Sequence, residues 1–154
     1  GYALAGGMEL MISCDLIVAH KDAKFGIPET KRGLAAAAGG LMKLPRMIPP
    51  KIAMELALTG DFIDTGRAYA LGLVNRVTDG PALDAAIELA QAITANGPTA
   101  VRVSKQIVIE SGGWSQDEMW DKQAALLPQV FMSADAREGA AAFAEKRKPN
   151  WTGK

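Results

Sequence analysis

Short apolar runs broken by glycine, proline and charge fill the first half of the chain, and helical periodicity fills the second. Residues 1–5 (GYALA) are short and apolar, and they predict a strand from Gly1 to Leu4. Gly6-Gly7 breaks the extended run, and Met8, Glu9, Leu10, Met11 and Ile12 favour helix. DLIVAH at 15–20 has a β-prone Leu-Ile-Val centre and predicts a second buried strand. Strand, helix and strand in that order predict a right-handed crossover with the two strands parallel. The next stretch, KDAKFGIPETKRG, reads as a loop by its charges, its glycines and Pro28, and an alanine-rich passage then runs to Gly39-Gly40. LMKLPRMIPPKIAMELALTG predicts two short helical pieces interrupted by Pro45 and Pro49-Pro50. Asp64 precedes a short helix through Leu71, and LGLVNRV predicts a turn and a last short strand.

From Pro81 the pattern turns helical, with Leu83, Ile87 and Ala90 in one register beside Ala86, Leu89 and Ile93. Pro98 suits a first helical position, and Ala100, Val103 and Ile107 continue an apolar face. A third helix is predicted from about Ser115 to Met132, with Ser115 as N-cap and Glu118 in the capping-box position. A fourth is predicted over 136–148, ending before Pro149. The plan is an α/β part over residues 1–80 followed by an α-helical part over 81–154, with no long linker and no fixed-period repeat.

Composition narrows the function classes. The chain has 154 residues, 49% hydrophobic and 22% charged, which suits a folded domain with a sizeable core. Lys plus Arg and Asp plus Glu number 17 each, so no overall field draws in nucleic acid or an anionic membrane. One cysteine, Cys14, and one histidine, His20, exclude an intramolecular disulfide and a zinc cluster, so no metal is expected. No run approaches the length of a membrane span. A cytoplasmic home is expected. The chain does not begin with methionine and enters a strand midway, so a fragment or a processed chain is expected.

In the crossover reading, Gly6 and Glu9 follow the C-terminal end of one strand, and the loop with Glu29 follows that of its parallel neighbour. Both carboxylates then face one sheet edge, where open α/β structures bind ligands. Gly6 and Gly7 stand where the free N–H groups of a helix start can hold a developing oxyanion, or they simply make a tight turn. Glu9 is either a first-turn carboxylate satisfying the helix dipole or a buried proton carrier. Glu29, after Pro28, is either a solvated loop carboxylate or the second member of a pair. Cys14 is expected to pack in the first helix, His20 to close a strand, and Lys146-Arg147-Lys148 to be a solvated helix terminus that can also meet a phosphate.

Taken together, GYALAGGMELMISCDLIVAHKDAKFGIPETKRG, AMELALTGDFIDTGRAYALGLVNRV and DAREGAAAFAEKRKPNW resemble, in order, the crotonase, or enoyl-CoA hydratase/isomerase, superfamily. The resemblance covers nearly the whole chain. It implies the C-terminal part of the crotonase-like spiral of β-β-α units, followed by an α-helical trimerisation region, with homotrimers or hexamers built as dimers of trimers. The upstream part of that fold carries the adenine pocket and one of two oxyanion donors.

By position, Gly6 matches the second oxyanion donor, and Glu9 and Glu29 match the two catalytic glutamates of hydratases. Gly7, Pro28, Ala37 and Lys146 match substrate-binding positions, Lys146 through the CoA phosphates of a neighbouring subunit. Phe131 falls near the CoA channel, although a core position is expected for it. Where many hydratases have Pro-Gly-Ala-Gly-Gly, this chain has Ala36-Ala37-Ala38-Gly39-Gly40. The activity implied is reversible syn addition of water to a 2-enoyl-CoA in fatty-acid or related acyl-CoA metabolism. No cofactor beyond the substrate's own coenzyme A is implied, and no nucleic-acid or membrane partner. The alternatives are an isomerase, lyase or hydrolase acting on an acyl-CoA, or an inactive fragment or assembly module.

Overall fold

A computed structural model describes all residues, 1–154. It divides into two compact units, Gly1–Glu88 and Leu89–Lys154, and the division falls inside one helix.

In the first unit, β1 (Tyr2–Leu4) leads through Ala5 into α1 (Gly6–Met11). β2 (Val18–His20) and β3 (Lys24–Gly26) follow, then a 3-10 turn over Pro28–Arg32. The rest comprises α2 (Gly40–Met47), α3 (Pro50–Thr59), β4 (Ile63–Asp64), α4 (Thr65–Ala70) and β5 (Arg76–Thr78). β1 pairs with β3 in parallel, Tyr2 opposite Lys24, Ala3 opposite Phe25 and Leu4 opposite Gly26. β4 joins the far side of β3 antiparallel, and β2 pairs instead with β5 in a separate parallel ladder.

The strand order corrects the expected crossover. DLIVAH is not the neighbour of the first strand; that place belongs to Lys24-Phe25-Gly26, three residues inside the segment expected to be loop. Phe25 alone of the three is an apolar side chain, and it is buried in the core, so period and length carried almost no signal. Pro45 also lies within α2 and does not interrupt it. The break comes at Ile48, held extended ahead of Pro49 because the pyrrolidine ring disfavours the helical conformation there.

The core of this unit is one apolar cluster that includes Met8, Ile12, Phe25, Ile27, Leu44, Leu56, Ile63 and Leu73. Thr65 is fully buried among them, and its hydroxyl donates to the carbonyls of His20 (2.8 Å) and Ala23 (3.1 Å), joining the turn between β2 and β3 to the start of α4. Asp64 caps α4 by accepting from Arg67 N–H at 2.8 Å. His20 closes β2 with Nε2 3.1 Å from the Asp79 carbonyl oxygen. Cys14 is exposed beyond the end of α1, not packed in it, because the helix stops at Met11.

The division between units falls in α5 (Ala82–Thr94); α6 (Pro98–Glu110), α7 (Met119–Leu126), α8 (Pro128–Phe131) and α9 (Ala134–Ala144) follow it. The helix expected from Ser115 is thus two. Ser115 donates its hydroxyl to Glu118 and accepts through its carbonyl from Met119 N–H, but the α-helix begins only at Met119 and is interrupted before Pro128. α9 starts at Ala134, capped by Ser133, whose hydroxyl oxygen accepts from Ala136 N–H. Phe131 is 71% exposed, against the core position expected for it.

The C-terminal segment folds back within this second unit. Buried Asp135 accepts from Thr152 N–H (2.7 Å), Thr152 hydroxyl (2.9 Å) and Gly153 N–H (2.8 Å). Glu138 takes the Arg147 guanidinium and the Asn150 N–H, and Trp151 donates its indole N–H to the Ala95 carbonyl. Trp151 lies over Gly97 and Gly139, where added methyls would stand 3.6 and 3.3 Å from its ring. Arg147 is therefore an anchored residue and not part of a freely solvated basic run.

No helix is long and apolar enough to cross a membrane, and no group of three or more His, Cys, Asp or Glu is placed to hold a metal ion.

Candidate active site

The parallel pairing of β1 with β3 brings the turn at Gly6 and the segment at Glu29 to the same edge, because each follows the C-terminal end of its strand. The two are tied directly. Ala5 N–H donates to the Gly26 carbonyl at 3.0 Å, extending the ladder one residue past β1 onto the last residue of β3. Ala5 holds φ 52°, ψ −129°, a conformation that L residues avoid, and its carbonyl accepts from Glu9 N–H at 3.0 Å. The chain thus turns sharply from strand to helix, with Gly6 and Gly7 as the first two residues of α1. Both glycines are exposed, and a Cβ placed on either meets nothing within 4 Å. Packing within this chain therefore does not require glycine at either position.

Glu9 is 5% exposed and makes no helix cap. Its Oε1 accepts two backbone N–H groups, from Ala38 and Gly40, each at 2.8 Å. This arrangement depends on two glycines. Gly39 turns the chain at φ 108°, and a Cβ on Gly40 would stand 3.0 Å from Glu9 Oε1 and 3.1 Å from its Cγ. Oε2 of Glu9 takes no hydrogen bond from the chain. Ser13 adds an outer tie, its hydroxyl donating to the Glu9 carbonyl at 2.7 Å and accepting from Lys43 Nζ at 2.9 Å.

Glu29 is half-buried in the 3-10 turn that Pro28 begins, and its Oε2 is a buried oxygen with no hydrogen-bond partner. A buried acceptor left unmatched is unusual, and it marks a place where a water, a proton or a ligand belongs. Beside the pair, an apolar groove of about 350 Å³ runs between α2 and α3, with Ile27, Gly40, Leu44 and Ala53 in its walls.

Among the residues singled out from sequence, Gly6, Gly7, Glu9, Pro28 and Glu29 thus lie along one edge of the first unit. Ala37 lies in the same 36–40 passage but is exposed, and its N–H bonds nothing in the chain. Lys146 belongs to the second unit, exposed after α9 with φ 55°. Sequence reasoning missed Ala38 and Gly40 as the anchors of Glu9. The signal was there in Gly39-Gly40, but a glycine pair does not say which carboxylate its amides will meet.

A family model described as enoyl-CoA hydratase/isomerase matches residues 1–154. Among curated relatives, a carnitinyl-CoA dehydratase of Citrobacter koseri is 40% identical over all of this chain and 61% of its own length. An enoyl-CoA hydratase of Mycobacterium tuberculosis is 43% identical over 98% of this chain and 57% of its own. A crystal structure of an enoyl-CoA hydratase from Mycobacterium tuberculosis H37Rv superimposes with a TM-score of 0.97 at 61% identity, covering all of this chain and 62% of that one. The chain thus spans about three-fifths of the length of the relatives it matches, and it has the fold of the corresponding part.

Proposed function

The chain belongs to the enoyl-CoA hydratase/isomerase family, and on that footing we propose that the protein adds water reversibly across the 2,3 double bond of an enoyl-CoA thioester. The observation that carries this reading is the complementary state of the two carboxylates. Glu9 has one oxygen filled by two backbone amides and the other unfilled, and Glu29 has a buried oxygen with no partner. In this reading one water bridges the two unfilled oxygens, and sharing a proton lets the two carboxyls work as acid and base.

In the forward direction, Glu9, held as an acceptor, takes a proton from the water as its oxygen bonds to Cβ. The π electrons move toward Cα, negative charge develops on the thioester oxygen, and Glu29 delivers a proton to Cα. Gly6 N–H donates to that developing oxyanion, and the bare glycine surface lets the thioester approach. Gly7 and Pro28 shape the same approach, Ala37 N–H offers a further donor to the water, and Lys146 offers charge to the CoA phosphates of a neighbouring subunit. The apolar groove beside Gly40 suits a hydrocarbon chain better than a phosphate.

Hydration also agrees with the names of the relatives, a dehydratase and a hydratase, both implying gain or loss of water on an acyl-CoA. Large apolar side chains left exposed in the second unit, Trp120, Phe131 and Phe143 among them, support assembly with further copies, as a trimer or hexamer.

The test is the loss of enoyl-thioester absorbance when the full-length protein meets crotonyl-CoA, with one water added by mass. Glu29→Gln should lower kcat by about 100-fold or more, the scale of a lost general acid. A product of unchanged mass would make the reaction an isomerisation, and an unchanged rate in Glu29→Gln would remove that residue from the mechanism.

A further inference from the structure

We propose that the segment Gly60-Asp61-Phe62 is the positioning element for Glu29, setting where its carboxyl stands; this inference rests on the hydratase reading above. The turn that carries Glu29 is only five residues long, and it is closed on its C-terminal side by Leu34 N–H to the Glu29 carbonyl and Gly33 N–H to the Thr30 carbonyl, both at 3.1 Å. A short 3-10 turn has poor hydrogen-bond geometry and does not by itself hold a side chain in place.

The restraint comes from the residues that end α3. Gly60 caps that helix at φ 65°, ψ 21°, and a Cβ there would stand 3.0 Å from Lys31 Cγ, 3.1 Å from Thr30 Oγ1 and 3.2 Å from Pro28 Cα. These atoms lie on both sides of Glu29. Asp61 then accepts from Lys31 Nζ at 2.6 Å, and the same ammonium lies 5.9 Å from the Phe62 ring centre. Upstream, a Cβ on Gly26 would stand 2.8 Å from Phe62 Cδ1 and 3.1 Å from the Asp61 carbonyl oxygen. Residues 60–62 therefore touch the chain before and after Glu29, and a methyl group added at Gly26 or Gly60 would force the facing segment to shift. A close-packed contact of this kind transmits displacement, so a methyl added at Gly60 moves the turn and its carboxyl together.

The experiment uses the full-length protein and crotonyl-CoA. Gly60→Ala should lower kcat about tenfold or more with KM changed less than about twofold, since a misplaced acid affects the transition state more than binding. In a Glu29→Gln background the same substitution should change the residual rate less than about twofold, because the group it acts through is already lost. An equal fractional loss in both backgrounds overturns the proposal. If Gly60→Ala does not melt cooperatively, the exposed pair gives the answer: Lys31→Met and Asp61→Asn should each lower kcat about threefold, without additivity between them or with Glu29→Gln, and Lys31→Arg should restore the rate. Unchanged kcat in both variants overturns the proposal as well. Wild-type protein that fails to hydrate crotonyl-CoA, or that is unaffected by Glu29→Gln, removes the hydratase reading itself and this inference with it.

Discussion

Ala5 donates its N–H to the carbonyl of Gly26 at 3.0 Å while holding φ 52°. One hydrogen bond thus joins the turn that presents Gly6 to the segment that leads into Glu29, and it does so through a residue in a conformation that favours glycine. Strain of this kind costs about 1–3 kcal/mol and persists only where the surroundings enforce it. Here they do so from both sides, through the Gly26 carbonyl and the Glu9 N–H.

Ala5→Gly should therefore stabilise the protein. The relieved strain, about 1–3 kcal/mol, exceeds the roughly 0.4–1 kcal/mol lost through the freer unfolded chain. Urea unfolding should show a higher midpoint with an unchanged slope, and Ala5→Val should lower it. A lower midpoint for Ala5→Gly would mean that the turn is not strained.

Gly40→Ala should damage activity and stability together. The new methyl would stand 3.0 Å from Glu9 Oε1 and 3.3 Å from Ala36 Cβ, so Glu9 must leave its two amide donors or the passage must shift. Overpacking of this sort costs about 1–3 kcal/mol. Thermal melting and the crotonyl-CoA assay should both fall, the latter with kcat more affected than KM.

Thr65→Val should cost about 1–3 kcal/mol without touching the glutamates. The fully buried hydroxyl donates to the His20 and Ala23 carbonyls; an isosteric methyl removes both bonds, and the His20 carbonyl keeps only its bond from Ala23 N–H. Chemical denaturation measures the loss, and kcat per folded molecule should be unchanged.

Acid should release the C-terminal segment. The Arg147 guanidinium, followed by Asn150 N–H, draws Glu138 from 4.5 down to about 2, and Thr152 N–H is the leading cause holding Asp135 below its ordinary value. Both groups have depressed folded values, so their stabilisation is present above the unfolded values and is lost as pH falls through the folded ones. The segment should stay seated at neutral pH and loosen between about pH 4.5 and 2. Trp151 fluorescence, with Trp114 and Trp120 replaced by Phe, should report the change, and Glu138→Gln should bring it on at higher pH.

The residue pattern by itself determined much of the local structure. The Gly6-Gly7 break, the Asp64 cap, the helix begun by Pro98 and the closing Arg76–Thr78 strand all follow from neighbours within a few positions, where capping and turn chemistry act. Residue types and motif order also singled out Glu9 and Glu29. What the pattern could not carry was partnership across distance. A three-residue strand such as Lys24–Gly26 has no period to display, and only its ladders with β1 and β4 make it a strand. The two amides on Glu9 lie 29 and 31 residues away, and the segment packed around Glu29 begins 31 residues beyond it. Whether a glutamate is buried, and which of its oxygens is filled, depends on where the backbone returns. That return is set by long-range packing, in which each glycine matters for the space it leaves to another segment.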